Sequence, residues 1–287
     1  MRTEYIEGTE NFQTSISSRA FLVGILVITI AAFSQYLIDL GTIVDFLIVY
    51  GIPVAVVSIL WGRPILTRGL HHSWSALKYG MGFFGVFTIA GMVAGIIIFY
   101  ILSIYDPNAI NLLNRPNPVL QVSEEYAWIM VAVSFLVIGP AEEYLFRGFV
   151  YGGFLSFFQR HHWFSLAFIS SLFFAGVHLY YAFVYGLASL IMFADLITFG
   201  MAMAATYYFS GGNLVAPALI HGAYDAIGFL GVATSDTVLI FLRGLMLLIA
   251  LVVGFLFVFK KNRSLSPFES TSATLLLDKG NEGTRKG

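Results

Sequence analysis

The chain has 287 residues, of which 58% are hydrophobic and only 11% are charged, and its formal net charge is −1. Its mean hydropathy is +0.84; because soluble domains carry about 25% charged residues, this composition excludes a large soluble domain and indicates a polytopic membrane protein. The near-neutral charge argues against a nucleic-acid partner, and the absence of cysteine excludes disulfides, thiolate metal sites and a cysteine nucleophile.

Apolar segments of roughly 20 residues, the length at which a helix crosses a bilayer, follow one another along most of the chain. The sequence predicts eight of them: Ala20–Ile38, Thr42–Trp61, Leu77–Ile104, Tyr126–Phe158, Trp163–Tyr181, Val184–Phe209, Leu214–Val232 and Thr237–Phe259. The expected fold is therefore all-α, a polytopic membrane protein of about eight transmembrane helices with a buried polar site. The fourth segment is longer than one crossing, and Pro140 is expected to divide or kink it.

The same segments predict the domain organisation. Residues 1–19 are expected to form a cytoplasmic N-terminal segment, residues 20–259 a single transmembrane domain, and residues 260–287 a polar cytoplasmic tail. Basic residues fall at alternate ends of the segments, as the positive-inside rule requires. Those assigned to the inner face are Arg19, Arg63, Arg68, Arg160, Lys260, Lys261 and Arg263, with Arg115 alone on the outer side. We therefore expect a multi-pass protein of the cell membrane with both termini in the cytoplasm.

Two adjacent carboxylates and an arginine lie inside the fourth apolar segment. A charge at the bilayer centre costs roughly 2.5 to 3.5 kcal/mol, so intramembrane ionisable residues indicate a functional site. On a helix, Glu143 and Arg147 are four residues apart and close enough to pair. Glu142 lies about 100° further round the helix and has no local partner. One paired glutamate beside one free glutamate is the arrangement expected of a general base.

Two of the six histidines also lie within apolar sequence. His178 follows Phe174 by four residues, and His221 precedes Asp225 by four, so each pair shares a helix face. Such a histidine can also serve only to bond a neighbouring helix, and that alternative stays open for each of them. Asp195 and Arg243 occur at similar predicted depth in the sixth and eighth segments, which favours a structural charge pair. The remaining histidines are expected in interfacial loops: His71, His72, His161 and His162.

Most recognisable signatures of membrane hydrolases are missing from this sequence. It contains neither the His-Glu-x-x-His motif of zinc proteases nor the Gly-x-Ser-x-Gly motif of serine hydrolases. The residues that remain are Glu-Glu-x-x-x-Arg, Phe-x-x-x-His and His-x-x-x-Asp, on three helices in that order. This ordered set resembles the CPBP family, which comprises the type II CAAX prenyl endopeptidases and related bacteriocin-processing, self-immunity and abortive-infection-like proteins. The resemblance covers about residues 126–229, and the run Ser210–His221 is also similar to the approach to the family's last histidine.

The resemblance implies an intramembrane endopeptidase that cuts near the C-terminus of prenylated CAAX-type or similarly hydrophobic peptides. Its partners would be a peptide or lipidated protein and the bilayer. The implied catalytic residues are Glu142 as general base on a water, Glu143 oriented by Arg147, His178 near the water, and His221 as oxyanion donor steered by Asp225; Phe174 is assigned to substrate binding. The family's third motif often ends in asparagine, so Asp225, an acceptor when ionised, is a departure.

Three alternatives stay open at this point. The scheme needs no cofactor and no metal, but two imidazoles and two carboxylates could bind zinc, which would make the protein a metalloprotease. A non-catalytic membrane scaffold or bacteriocin self-immunity protein could keep the same fold. A transporter could use the charges as a proton relay, although the symmetric halves expected of one are not seen.

The predicted topology also creates a conflict of depth. A simple inward fourth span places Glu142 near its cytoplasmic end, whereas a simple outward fifth span places His178 near the outer end. Either the fifth helix starts deep or tilts, or residues Ala141–Phe158 fold back along the membrane.

Overall fold

The computed structural model describes residues 16–34, 42–70, 74–115, 117–158 and 161–257. All regular secondary structure within these ranges is helical, which confirms the expected all-α class. Several sequence-based predictions lie outside the described residues: those for residues 1–15 and 260–287, for His71 and His72, and for Arg160.

Eight longer helices make up most of the described chain. In chain order they are α1 (Ser18–Ser34), α2 (Val44–Gly69), α3 (Trp74–Tyr105), α4 (Glu124–Phe157), α5 (Trp163–Val177), α6 (Tyr180–Phe209), α7 (Val215–Ala233) and α8 (Asp236–Phe257). Six of these are long and apolar enough to cross a membrane, whereas α1 and α5 are apolar but have only 17 and 15 residues. The protein is thus a multi-pass α-helical membrane protein, and each predicted segment corresponds to one helix.

Helix α4 runs without a break through Pro140. It contains two π-helical stretches, Ser134–Ile138 and Glu143–Tyr151, on either side of a short α-helical turn that holds the proline. Proline lacks an amide N–H, and the wider i→i+5 turns accommodate the bond that an α-helix would lose. The expected division of this segment is therefore not observed, and Ala141–Phe157 continues the helix instead of folding back.

Helix lengths remove the conflict of depth between the glutamates and His178. The 34 residues of α4 extend about 50 Å at 1.5 Å per residue, well beyond a hydrocarbon core of about 30 Å, and Glu142 lies near their midpoint. The 15 residues of α5 extend only about 22 Å. His178, immediately after α5, therefore lies at a depth that Glu142 can share.

The helices pack around the second half of α4, whose residues Glu142–Gly153 are all buried. Helices α1 and α2 pack against this half, α7 lies along the first half of α4 and contacts α8, and α3 packs lengthwise against α6 and α8. The outer faces carry large exposed apolar side chains, including Ile59, Ile96 and Ile240, as expected of surfaces in contact with lipid.

Candidate active site

Glu143 is the centre of a buried polar network on α4. Its side chain is fully buried, and its Oε1 atom lies 2.7 Å from Nδ1 of His221 and 3.0 Å from Nη1 of Arg147. The contact with Arg147 is an ion pair whose angles are not those of a hydrogen bond. The predicted pairing of Glu143 with Arg147 is present, and the same oxygen also holds His221, which sequence spacing alone did not indicate.

Arg147 itself is enclosed by three different kinds of partner. Besides Glu143, it donates from Nη2 to the Gly200 carbonyl at 3.5 Å, and its guanidinium lies 4.7 Å from the centre of the Phe174 ring. A buried charge is tolerated best when it is paired with an opposite charge, as Arg147 is with Glu143. Arg147 thus contacts both Glu143 and Phe174, and it does not line the cavity described below.

Glu142 faces the other way and has a different environment. Its Oε1 atom accepts a 2.9 Å hydrogen bond from the Tyr50 hydroxyl on α2. Its Oε2 atom lies 3.6 Å from Nε2 of His221 and receives no hydrogen bond from any described residue. One oxygen of Glu142 is thus held by Tyr50, a partner that the sequence did not indicate, while the other oxygen is open to accept from a bound group.

The hydrogen bonds of His221 determine what each ring nitrogen can do. A carboxylate only accepts, so Nδ1 must carry the proton that it donates to Glu143. Nε2 then faces Glu142 and Asp225, the latter with Oδ2 at 3.5 Å. Nε2 can accept when the ring is neutral, and it donates only when the ring is an imidazolium. Asp225 contacts His221 as predicted, and its side chain is 26% exposed.

A close crossing of α4 and α7 brings His221 to the glutamates. A Cβ atom added at Gly139 would lie 2.7 Å from the Ala218 carbonyl oxygen, and one added at Gly222 would lie 2.9 Å from the Phe135 Cα atom. Only glycine permits this separation of the two backbones, since real Cβ contacts are not so short. The crossing places Glu142 and Glu143 directly opposite His221.

His178 joins the site by a separate route, at the end of α5. It follows the last helical residue, and its Nδ1 atom lies 2.8 Å from the Phe174 carbonyl oxygen. A carbonyl oxygen only accepts, so Nδ1 carries the proton and Nε2 of the neutral ring is an acceptor. The Phe174 ring lies between the two histidines, with ring centres 4.7 Å from His178 and 6.1 Å from His221.

Of the predicted site residues, all except Glu143 and Arg147 line one cavity of about 1150 Å³, and Tyr50 lines it too. Its wall is formed by the predicted residues Glu142, Phe174, His178, His221 and Asp225 together with apolar side chains from α1, α2, α4 and α6. The loop between α3 and α4 closes part of it with residues 117–120. The volume is slightly above the 300–1,000 Å³ of most small-molecule pockets, so the cavity has room for part of a peptide or of a lipid chain.

A second polar cluster lies in the same cavity, formed by Asp195, Tyr224 and Arg243. The Tyr224 hydroxyl donates to Asp195 Oδ2 at 3.0 Å, and the Arg243 guanidinium lies 5.3 Å from the centre of the Tyr224 ring. The expected charge pair of Asp195 with Arg243 does not form directly, because Tyr224 lies between the two side chains.

The described part of the chain contains no group of three or more His, Asp or Glu side chains arranged to hold a metal ion. Nδ1 of His221 contacts Glu143 and Nδ1 of His178 contacts the Phe174 carbonyl, so Nε2 of each ring is left open. A metal-binding histidine commonly bonds its other ring nitrogen to a carboxylate or a carbonyl in this way, so the zinc alternative stays open.

Comparison with protein families agrees with the motif analysis. Residues 124–227 match a family model described as type II CAAX prenyl endopeptidase Rce1-like. These matched residues are called the Rce1-like domain, after the family to which they are similar. No curated protein and no solved structure gives a significant match. The Rce1-like domain runs from the start of α4 into α7, contains all three motifs, and is consistent with the predicted membership of the CPBP family.

Four polar residues that line the cavity lie outside the Rce1-like domain: Asp45, Tyr50, Asn117 and Arg243. Tyr50, which bonds to Glu142, belongs to a π-helical turn of α2 at Leu47–Gly51, and Arg243 belongs to α8. Sequence reasoning missed Tyr50 because a single tyrosine in an apolar span is ordinary. Arg243 was noticed by its charge, but its position in the cavity was not predicted.

Proposed function

We propose that the protein is an intramembrane endopeptidase that hydrolyses a peptide bond near the C-terminus of prenylated CAAX-type or similarly hydrophobic peptides. The observation that carries the proposal is the pairing of Glu142 with His221 across the cavity, where Oε2 of the glutamate and Nε2 of the imidazole are 3.6 Å apart. This is a separation at which one water can contact both groups. The presence of an Rce1-like domain supports protease activity of this class.

In the proposed reaction, Glu142 removes a proton from a water through Oε2 while Tyr50 holds Oε1. The resulting hydroxide attacks the carbonyl carbon of the scissile bond, and the carbonyl oxygen becomes an oxyanion. An imidazolium at His221 would donate from Nε2 to that oxyanion, and His178 would position the water through Nε2. Glu142 then gives its proton to the leaving amine as the C–N bond breaks, which returns the site to its starting state.

Replacement of the proposed general base tests this function. With purified protein and an S-prenylated CAAX-type peptide, we expect Glu142→Gln to lower kcat by about 10²- to 10⁴-fold, because the amide cannot accept the proton. Product formation would be followed by mass spectrometry. The matched control is Glu125→Gln, an exposed carboxylate in the first turn of the same helix, which should cleave like the wild type.

The same assay separates the alternatives. Full cleavage by a well-folded Glu142→Gln protein would disprove the general-base role. Absence of cleavage by the wild type, with an unchanged cellular role for Glu142→Gln, would favour a scaffold or self-immunity protein. Activity that is lost on stringent chelation and restored by zinc would establish the metalloprotease alternative.

A further inference from the structure

The catalytic cavity is acidic and contains one strong cation. Among the described residues that line it, Arg243 is the only lysine or arginine, whereas Asp45, Glu142, Asp195 and Asp225 are all lining carboxylates. A permanently charged guanidinium at membrane depth is costly and is retained facing a cavity or a partner. The proposed reaction gives Arg243 no role, so the presence of this charge in the cavity requires a separate explanation.

Arg243 is oriented but not neutralised by a direct ion pair. Its guanidinium lies over the Tyr224 ring, and Tyr224 is fixed in turn by its hydrogen bond to Asp195. Within the described ranges, no carboxylate oxygen lies within 4.0 Å of the Arg243 guanidinium. The side chain is exposed, so its five donors remain accessible to a ligand in the cavity.

The point at which Arg243 of α8 lies against α7 sets its distance from the catalytic groups. Its Nη2 atom would lie 3.8 Å from a Cβ atom built on Gly228 of α7. Gly228 and His221 are seven residues apart, which is two turns on one helix face and about 10 Å along the axis. An extended peptide covers about 3.3 to 3.6 Å per residue, so roughly three residues bridge this distance.

We propose that Arg243 binds the C-terminal carboxylate of the substrate and so fixes the cut a short distance, about three residues, from that terminus. Arginine is the residue best suited to this task, because its planar fork of donors matches both oxygens of a carboxylate. The inference rests on the proposed peptidase function and adds to it a specificity-determining residue outside the Rce1-like domain. The competing account is that Arg243 only offsets the charge of Asp195 and Asp225.

Two peptides distinguish the accounts: an S-prenylated peptide with a free C-terminal carboxylate, and the same peptide as its C-terminal amide. We expect the wild type to prefer the acid by about 10- to 100-fold in kcat/KM, the range of a charge-assisted hydrogen bond. Arg243→Gln should lose that preference by slowing cleavage of the acid, with the amide changed less than about twofold. Arg243→Lys should restore part of the preference, because it keeps the charge but not the fork.

The position of the cut gives a second readout. When the peptide is lengthened by one residue at its C-terminus, the wild type should move the cut by one residue and keep its distance from the carboxylate. Arg243→Gln should not follow the terminus in this way. The control is Arg63→Gln, an exposed arginine of α2 that does not line the cavity, and it should behave as the wild type in both readouts.

A binding measurement tests the role of Arg243 without requiring cleavage of the peptide. Fluorescence anisotropy with the two labelled peptides on Glu142→Gln, with and without Arg243→Gln, should show a preference for the acid only when Arg243 is present. Equal losses on acid and amide, or no loss, would overturn the inference while leaving the peptidase function intact. If the wild type cleaves neither peptide, the peptidase function fails, and the acid-over-amide binding preference alone decides the role of Arg243.

Discussion

The two neighbouring glutamates of α4 are chemically identical, but their surroundings differ. Glu143 is fully buried and contacts Arg147 and His221 through one oxygen, so its position is fixed by two basic side chains. Glu142 is held by the neutral Tyr50 hydroxyl through one oxygen and presents the other to the cavity. In the proposed reaction, Glu143 would position His221 and Glu142 would act as the general base.

Tyr50 offers a test at this scale. We expect Tyr50→Phe to lower kcat by about 3- to 30-fold with KM changed by less than about twofold, because Glu142 loses the donor that orients it and the cavity keeps its shape. Steady-state cleavage of the prenylated peptide measures both constants. The control is Tyr100→Phe, an exposed tyrosine on α3. A wild-type kcat for Tyr50→Phe would show that this hydrogen bond does not position the base.

At the scale of the helices, the close crossing of α4 with α7 brings His221 to the two glutamates. Gly139 and Gly222 bring the two backbones together beside the π-helical stretch that carries Glu143, and His221 is the residue next to Gly222. Helix interfaces in membranes use small residues for such close approach. The glycine pair therefore connects helix packing directly to the distance between His221 and the glutamates.

A single added methyl group tests this connection. We expect Gly222→Ala to destabilise the protein by about 1 to 3 kcal/mol and to reduce cleavage by at least about tenfold, because its Cβ would lie 2.9 Å from backbone atoms of α4. Thermal unfolding in detergent and the peptide assay measure the two effects. Gly244→Ala on α8 is the matched control, since its Cβ would have no neighbour within 4 Å. Equal behaviour of the two variants would contradict the proposed importance of the crossing.

For the molecule as a whole, unequal helix lengths place the polar groups at a common depth. The long α4 carries Glu142 near its midpoint, and the short α5 ends at Val177, just before His178. The loop between α3 and α4 is tied back to α6 by a 2.9 Å hydrogen bond from Arg115 to the Val184 carbonyl, and it closes one side of the cavity. The cavity thus depends on helices and a loop from most of the chain.

The orientation of the whole molecule in the membrane remains a prediction. Because the sequence contains no cysteine, single cysteines introduced on either side can be labelled to test it. A single cysteine at Asn114→Cys, in the loop between α3 and α4, should react with a membrane-impermeant maleimide on intact cells. Thr284→Cys, in the C-terminal tail, should react only after permeabilisation, since the distribution of basic residues places the termini in the cytoplasm. The reverse labelling pattern would show that the orientation is inverted.

The sequence by itself determined the membrane class and the helical segments, and it singled out polar residues that the structure brings together at one site. It could do so because charges in apolar spans are costly and stand out, and because four-residue spacing places side chains on one helix face. Tertiary structure alone decided that Glu143 holds His221, that Tyr50 holds Glu142, that α4 passes Pro140 unbroken, and that Tyr224 lies between Asp195 and Arg243. These features depend on contacts between distant segments and on the depth at which each helix ends. The spacing of residues within one helix specifies neither.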